Sequence, residues 1–76
     1  MNKARRAKLN QIINTLTDLK AELDDVFSDE ETALDNMPES LQDTDRYCAM
    51  EEACDNMSDA IDSLDDAIDL LESAME

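Results

Sequence analysis

From Leu9 onward, the apolar residues Leu9, Ile12, Leu16, Leu19, Leu23 and Val26 recur at alternating steps of three and four, and Ile13 and Phe27 widen the stripe. That spacing marks a helix packed along one face, and it predicts a first helix over about 3–35. The second half repeats more strictly. CAMEEAC, DNMSDAI, DSLDDAI and DLLESAM are four consecutive heptads running from Cys48 to Met75. Each carries a large apolar residue at one position (Met50, Met57, Leu64, Leu71) and alanine at another (Ala53, Ala60, Ala67, Ala74), flanked by Cys54, Ile61, Ile68 and Met75. These predict a second long helix over about 44–76.

Between the two lies the chain's single proline. Pro38 cannot continue a helix interior and biases Met37 towards an extended conformation, so the first helix should stop near Asp35 or Asn36. Pro38 to Leu41 has room for one helical turn led by proline, with Asp43 or Thr44 then serving as N-cap of the second helix. A link this short, over about 36–43, makes two long helices antiparallel neighbours. The expected fold is therefore all-α: a single domain, an antiparallel two-helix hairpin of coiled-coil character, about 50 Å long from ~33 residues per arm at ~1.5 Å each. The alanine column is expected on the seam, where lost bulk brings the facing backbone to the short end of the usual ~8–10 Å interaxial range. Both helices carry a third apolar position beside the two seam positions, a stripe wider than a two-helix contact covers. A homodimer forming a four-helix bundle is the expected way to bury the remainder, and a hetero-partner is the other.

Composition removes several functions. The chain has 76 residues, no glycine and no histidine. Without glycine there is no phosphate-cradling loop, dinucleotide fingerprint or EF-hand turn. Without histidine the commonest general base and zinc ligand is missing. A chain this short lies where a lone core is marginal, so no enzyme with its own buried site is expected, and no catalytic residues, metal or cofactor. The first residues, MNKARRAKLNQIINTLTDL, mix Asn, Gln and Thr into their apolar positions, which does not read as a signal peptide, and no segment approaches a transmembrane span. A cytoplasmic location is expected. Cys48 and Cys54 lie six apart on one helix, roughly 9 Å along its axis, too far to bridge within that helix. They are expected to be reduced residues at the core edge.

Charge changes the picture most. With 21 acidic and 6 basic side chains the net charge is −15, which repels nucleic acid and anionic membranes and attracts basic partners. With Met50, Met57, Leu64 and Leu71 as heptad position a, all ten carboxylates from Glu51 to Glu76 fall at b, c or f, none on the seam. That is one carboxylate per roughly 4 Å of helix axis, against about 3.4 Å per phosphate along one DNA strand. The charge is also polarised. Residues 1–21 carry five bases and one acid, a net of +4, whereas residues 22–55 carry thirteen acids against Arg46, a net of −12. Carboxylates crowded at the turn end should repel one another and focus negative potential. An acidic outer face is one way to keep a helix solvated. Yet ordinary surface helices mix signs to gain i, i+4 pairs, and this one forgoes lysine altogether after Arg46. A rigid helix face does not wrap six or more oxygens around calcium, so loose counterions are the extent of the cation binding expected there.

The turn has a distinctive run of the form E-E-x-x-x-x-N-M-P-E-x-L-Q-x-T-x-R, carried by Glu30, Glu31, Asn36, Met37, Pro38, Glu39, Leu41, Gln42, Thr44 and Arg46. Followed by A-M-E-E-A and the D-x-L-D-D-A-I-D repeats, it resembles small acidic two-helix proteins encoded by phages and integrative elements of Gram-positive gut bacteria. The resemblance implies a mobile-element origin and a hairpin fold, and carries over no catalytic residue; Cys48 and Cys54 lie outside it. The leading expectation is a non-catalytic binding protein that occupies a basic, nucleic-acid-binding surface on a host protein, as a DNA mimic with anti-CRISPR or other anti-defence action. Carboxylates would stand in for phosphates. The candidate residues are Asp55, Asp59, Asp62, Asp66 and Asp69 on the second helix, with Glu30, Glu31, Asp35 and Glu39 at the turn. A structural or adaptor protein, whose dimerisation is its role and whose acids only keep it soluble, is the alternative.

Overall fold

Asn2 opens the first helix. In the computed structural model, which describes Met1–Glu76, its extended backbone (φ −78°, ψ 167°) lets its side-chain oxygen accept from the Arg5 amide at 2.8 Å, satisfying one of the amides that a helix start leaves unpaired. Helix α1 then runs over Lys3–Asp35. It closes without a left-handed residue: the Asn36 amide donates to Thr32 and the Met37 amide to Leu34, while Asn36 stays right-handed. Pro38 follows in an extended conformation (φ −59°, ψ 144°) and leads a single 3-10 turn, Glu39–Leu41.

The second helix, α2, spans Asp45–Ala74. Its N-cap is Thr44, whose hydroxyl accepts from the Tyr47 amide at 3.3 Å and donates to the Leu41 carbonyl at 2.7 Å. One side chain thereby ties the start of α2 to the preceding turn. The two helices pack antiparallel against each other and no strand is present. The molecule is a rod of 59 × 15 × 13 Å measured on Cα atoms.

The seam differs in register from the sequence expectation. On α1 the covered positions are Leu9, Ile13, Leu16, Lys20, Leu23, Phe27, Glu30 and Leu34, whereas Ile12, Leu19 and Val26 are exposed, the last two at 50% and 56%. On α2 the covered line is Tyr47, Met50, Cys54, Met57, Ile61, Leu64, Ile68, Leu71 and Met75. The alanine column does not form the seam: Ala60 and Ala74 are exposed, and Ala53 and Ala67 are only partly covered. The physical reason is size. Packing α1 against Cys54, Ile61, Ile68 and Met75 removes more apolar surface from water than packing it against alanines.

Only Ile13 and Cys54, of 76 residues, are buried. The core is a single file of side chains, thin for a chain of this length. Stability therefore leans on helix ends as well as on packing. Thr44→Ala removes the α2 cap and should lower stability by about 1 kcal/mol, or roughly 4–8 °C in melting temperature for a domain of this size. Thermal unfolding followed by circular dichroism checks this; an unchanged midpoint would show that the cap is not needed.

Candidate functional site

Both helices are right-handed and run in opposite directions, so the residue following each of the seam positions Leu9, Leu16, Leu23 and Glu30 lies on the same side of the hairpin as the residue following Met50, Met57, Leu64 and Leu71. That side carries Asn10, Thr17, Asp24 and Glu31 from α1 and Glu51, Ser58, Asp65 and Glu72 from α2. Two contacts agree with the geometry. Lys20 and Asp65 form an ion pair across the helices, and Glu31, Asp35, Glu51 and Asp55 share one shallow groove with Phe27, Leu34 and Cys54. This is the acidic side of the rod. The opposite side carries Ile12, Leu19, Val26 and Ala33 on α1, with Arg5 at the end of the same heptad line, and Ala53, Ala60, Ala67 and Ala74 on α2. The hairpin has one charged long face and one almost uncharged one.

The candidate carboxylates do not all lie together. Glu31, Asp35 and Asp55 meet in the groove. Asp62 and Asp69 continue the heptad line of Asp55 and are exposed, while Asp59 and Asp66, also exposed, lie one line further round, on the back of α2. Glu39 sits on the 3-10 turn at the pole of the rod. Glu30 is different in kind, since it is half-buried on the seam line of α1. Sequence reasoning left Glu51 out of the candidate set, although it counts among the carboxylates crowded at the turn end, and missed the cross-helix pair of Lys20 with Asp65. The available signal for the second was that Lys20 falls on the heptad line of Ile13, Phe27 and Leu34, so its stem lies along the seam while its ammonium reaches water and a carboxylate.

Local electrostatics follow from this placement. The Lys20 ammonium is held above its ordinary pKa chiefly by its hydrogen bond to Asp65; desolvation opposes the rise, and the charges of Asp65, Asp24 and Asp62 add to it. The Cys54 thiol is also raised, first by burial and then by the carboxylates of Glu30, Glu31, Asp55 and Asp35. A thiol so placed stays protonated and is a poor nucleophile. Cys48, by contrast, is exposed, and both cysteines are free.

The charge distribution works against the helices that carry it. The first turn of α1 has no acidic residue and contains Lys3, Arg5 and Arg6, and its last turn has no basic residue and ends on Asp35. In α2 the first turn has Asp45, but the last has no basic residue and includes Glu72. Each unfavourable charge at a helix terminus costs about 0.3–1 kcal/mol at low ionic strength. Selection for helix stability alone would have arranged these charges in the opposite sense. No three Cys, Asp or Glu side chains converge to hold a metal ion, and no helix is long and apolar enough to cross a membrane.

Searches find no matching protein family, no matching curated protein and no matching solved structure.

Two measurements follow from the site's electrostatics. Raising sodium chloride from about 20 to 300 mM should increase the melting temperature, because screening relieves carboxylate repulsion more than it weakens the single ion pair; a decrease would contradict the crowded geometry. At pH 8, Cys48 should react with a thiol reagent at least about tenfold faster than Cys54, read by mass spectrometry of the modified peptides. Equal rates would mean that Cys54 is not held in the seam.

Proposed function

We propose that this chain is a non-catalytic binding protein of phage or mobile-element type that acts in the cytoplasm of a bacterial host. It occupies the basic, nucleic-acid-binding surface of a host protein as a DNA mimic. The observation that carries the reading is the segregation of charge. Most carboxylates lie on one long side and the back of α2, in the lines Asp55, Asp62, Asp69 and Asp59, Asp66, joined at the turn end by Glu31, Asp35 and Glu39, while Asp18 and Asp25 on the back of α1 and Glu22 and Asp29 at its far edge stand apart. At the C-terminal end of α1 the placement of the carboxylates disfavours the helix rather than supporting it. The 59 Å rod matches about 17 phosphate steps of ~3.4 Å. Lys and Arg side chains of the target pair with these carboxylates as they would with phosphates, and substrate is excluded by competition. The thin core asks for no deep target pocket, since a rigid helix presents its acids along one line without ordering a loop.

An anti-CRISPR or other anti-defence inhibitor is the natural biological form of such an activity, because the target is then a nuclease that must hold nucleic acid. A second reading, a structural or adaptor protein whose role is helix-bundle assembly, is favoured by a different observation: Ile12, Leu19, Val26 and Leu70 are exposed on a face whose carboxylates, Glu22 and Asp29, lie only at its rim.

The two separate cleanly. Affinity capture from host lysate, challenged with a DNA duplex, should release a basic protein from the wild-type chain. Replacing Asp59, Asp62 and Asp66 by Asn should leave the helical circular dichroism intact and weaken that capture by about 100-fold, near 3 kcal/mol for three ion pairs at ~1 kcal/mol each. Capture that ignores both the duplex and the three substitutions would remove the mimic and leave the adaptor.

A further inference from the structure

The uncharged long face of the hairpin has the properties of an interface between two copies of this chain. Leu19 is 50%, Val26 56% and Leu70 71% exposed, and Ile12 lies on the same heptad line as Leu19 and Val26. Beside them runs the alanine column of α2, then the line Ala49, Asn56, Ser63 and Leu70, again without charge. In outline the long side of the rod measures 59 by 15 Å, roughly 900 Å², so nearly all of it has to be covered to reach the ~800 Å² per partner of a standard stable interface. The hairpin needs such cover, because only two of its 76 residues are buried.

Two face-to-face arrangements with two-fold symmetry exist. With the axis along the rod, both turn ends fall at the same pole, and two sets of crowded carboxylates are superimposed. With the axis across the rod, the hairpins run antiparallel and α1 stacks on α1, so residues 1–21, net +4, lie over residues 22–35 of the other copy, net −7, while the seven acids of residues 56–76 leave the N-terminal pole of each hairpin as a whole at −3. The second arrangement keeps the two turn ends, each −12 over residues 22–55, at opposite poles and so has the smaller repulsion.

We propose that a second copy of this chain covers the Ile12–Leu19–Val26 and alanine face in that antiparallel, two-fold arrangement, forming a four-helix bundle. A two-fold axis across the rod can lie anywhere along it, and full overlap of the two α1 helices places it at their midpoint. Leu19 is the midpoint of α1, whose ends are Lys3 and Asp35, so Leu19 lies against Leu19 of the partner subunit and Ile12 against Val26 of the partner subunit. At the rim, the heptad line Lys8, Thr15, Glu22 and Asp29 places Lys8 beside Asp29 of the partner subunit, at both ends of the interface. On the other side of the axis the alanine columns of the two α2 helices approach closely, which is where absent side-chain bulk is useful. The acidic sides then point outward, away from each other. The proposal concerns the uncharged face alone and stands whatever the acidic side binds.

Light scattering of the purified full chain should give twice its 8.5 kDa mass at about 100 μM, and Leu19→Glu should shift this to one chain. Orientation is read by crosslinking in a Cys48→Ser background, where the remaining Cys54 is buried. The Ile12→Cys/Val26→Cys chain should form a covalent dimer on mild oxidation, and neither single substitution should. Lys8→Glu should weaken the dimer by roughly tenfold, and adding Asp29→Lys should restore it, which also distinguishes loss of contact from loss of folding. A single-chain mass for the wild type, self-crosslinking of Ile12→Cys alone, or any other crosslinking pattern overturns the arrangement.

Discussion

Burial of Cys54, Ile61, Ile68 and Met75 decides which side of α1 is used. Ile61, Ile68 and Met75 each exceed the neighbouring alanine by three heavy atoms and Cys54 exceeds its neighbour by one, at about 0.8 kcal/mol per methylene-sized group removed from water. In an antiparallel pair the choice on one helix is tied to the choice on the other, since the two flanks on a given side rotate in together. Using the large residues of α2 therefore obliges α1 to present Ile13, Lys20, Phe27 and Leu34. The apolar line Ile12, Leu19 and Val26 is left outside as a consequence, and so are the alanines.

That coupling also marks where a reading of the chain succeeds and where it stops. Two helices, their antiparallel packing and the cap at Thr44 as one of two candidates were legible, because steps of three and four and a lone proline are local signals. The register was not. Taken alone, α1 offers two equally regular apolar lines, and the uninterrupted one, Ile12, Leu19 and Val26, looks better than the one broken by Lys20. Only the partner helix resolves the tie, and a lysine is acceptable there because Asp65 waits across the seam. The same limit applies to the acids: heptad position separates outward from inward, but it took the handedness of the pair to bring Glu31 and Asp35 beside Glu51 and Asp55. Glu30 was read as an outward residue at the turn and lies half-covered on the seam instead.

The molecule thus has two long sides with opposite chemistry on a very narrow body. Carboxylates on one side and on the back of α2 give a stiff line of negative charge, whereas the other side has little to repel a hydrophobic neighbour. These are compatible demands. A surface that gathers like charges is tolerable on a slender fold when the covering of its apolar side adds stability from elsewhere. The unfavourable termini of α1 fit the same account: its bases are gathered at one end and its acids at the other, a distribution that is poor for an isolated helix and suited to one that lies beside an oppositely directed copy.

The link of residues 36–44 turns the chain with no positive φ, and this has a mechanical consequence. Closing so short a loop is entropically cheap, so zipping starts at that pole and proceeds towards the two chain ends, which emerge together at the other. A force applied between those ends separates the arms one contact at a time instead of shearing the whole rod at once.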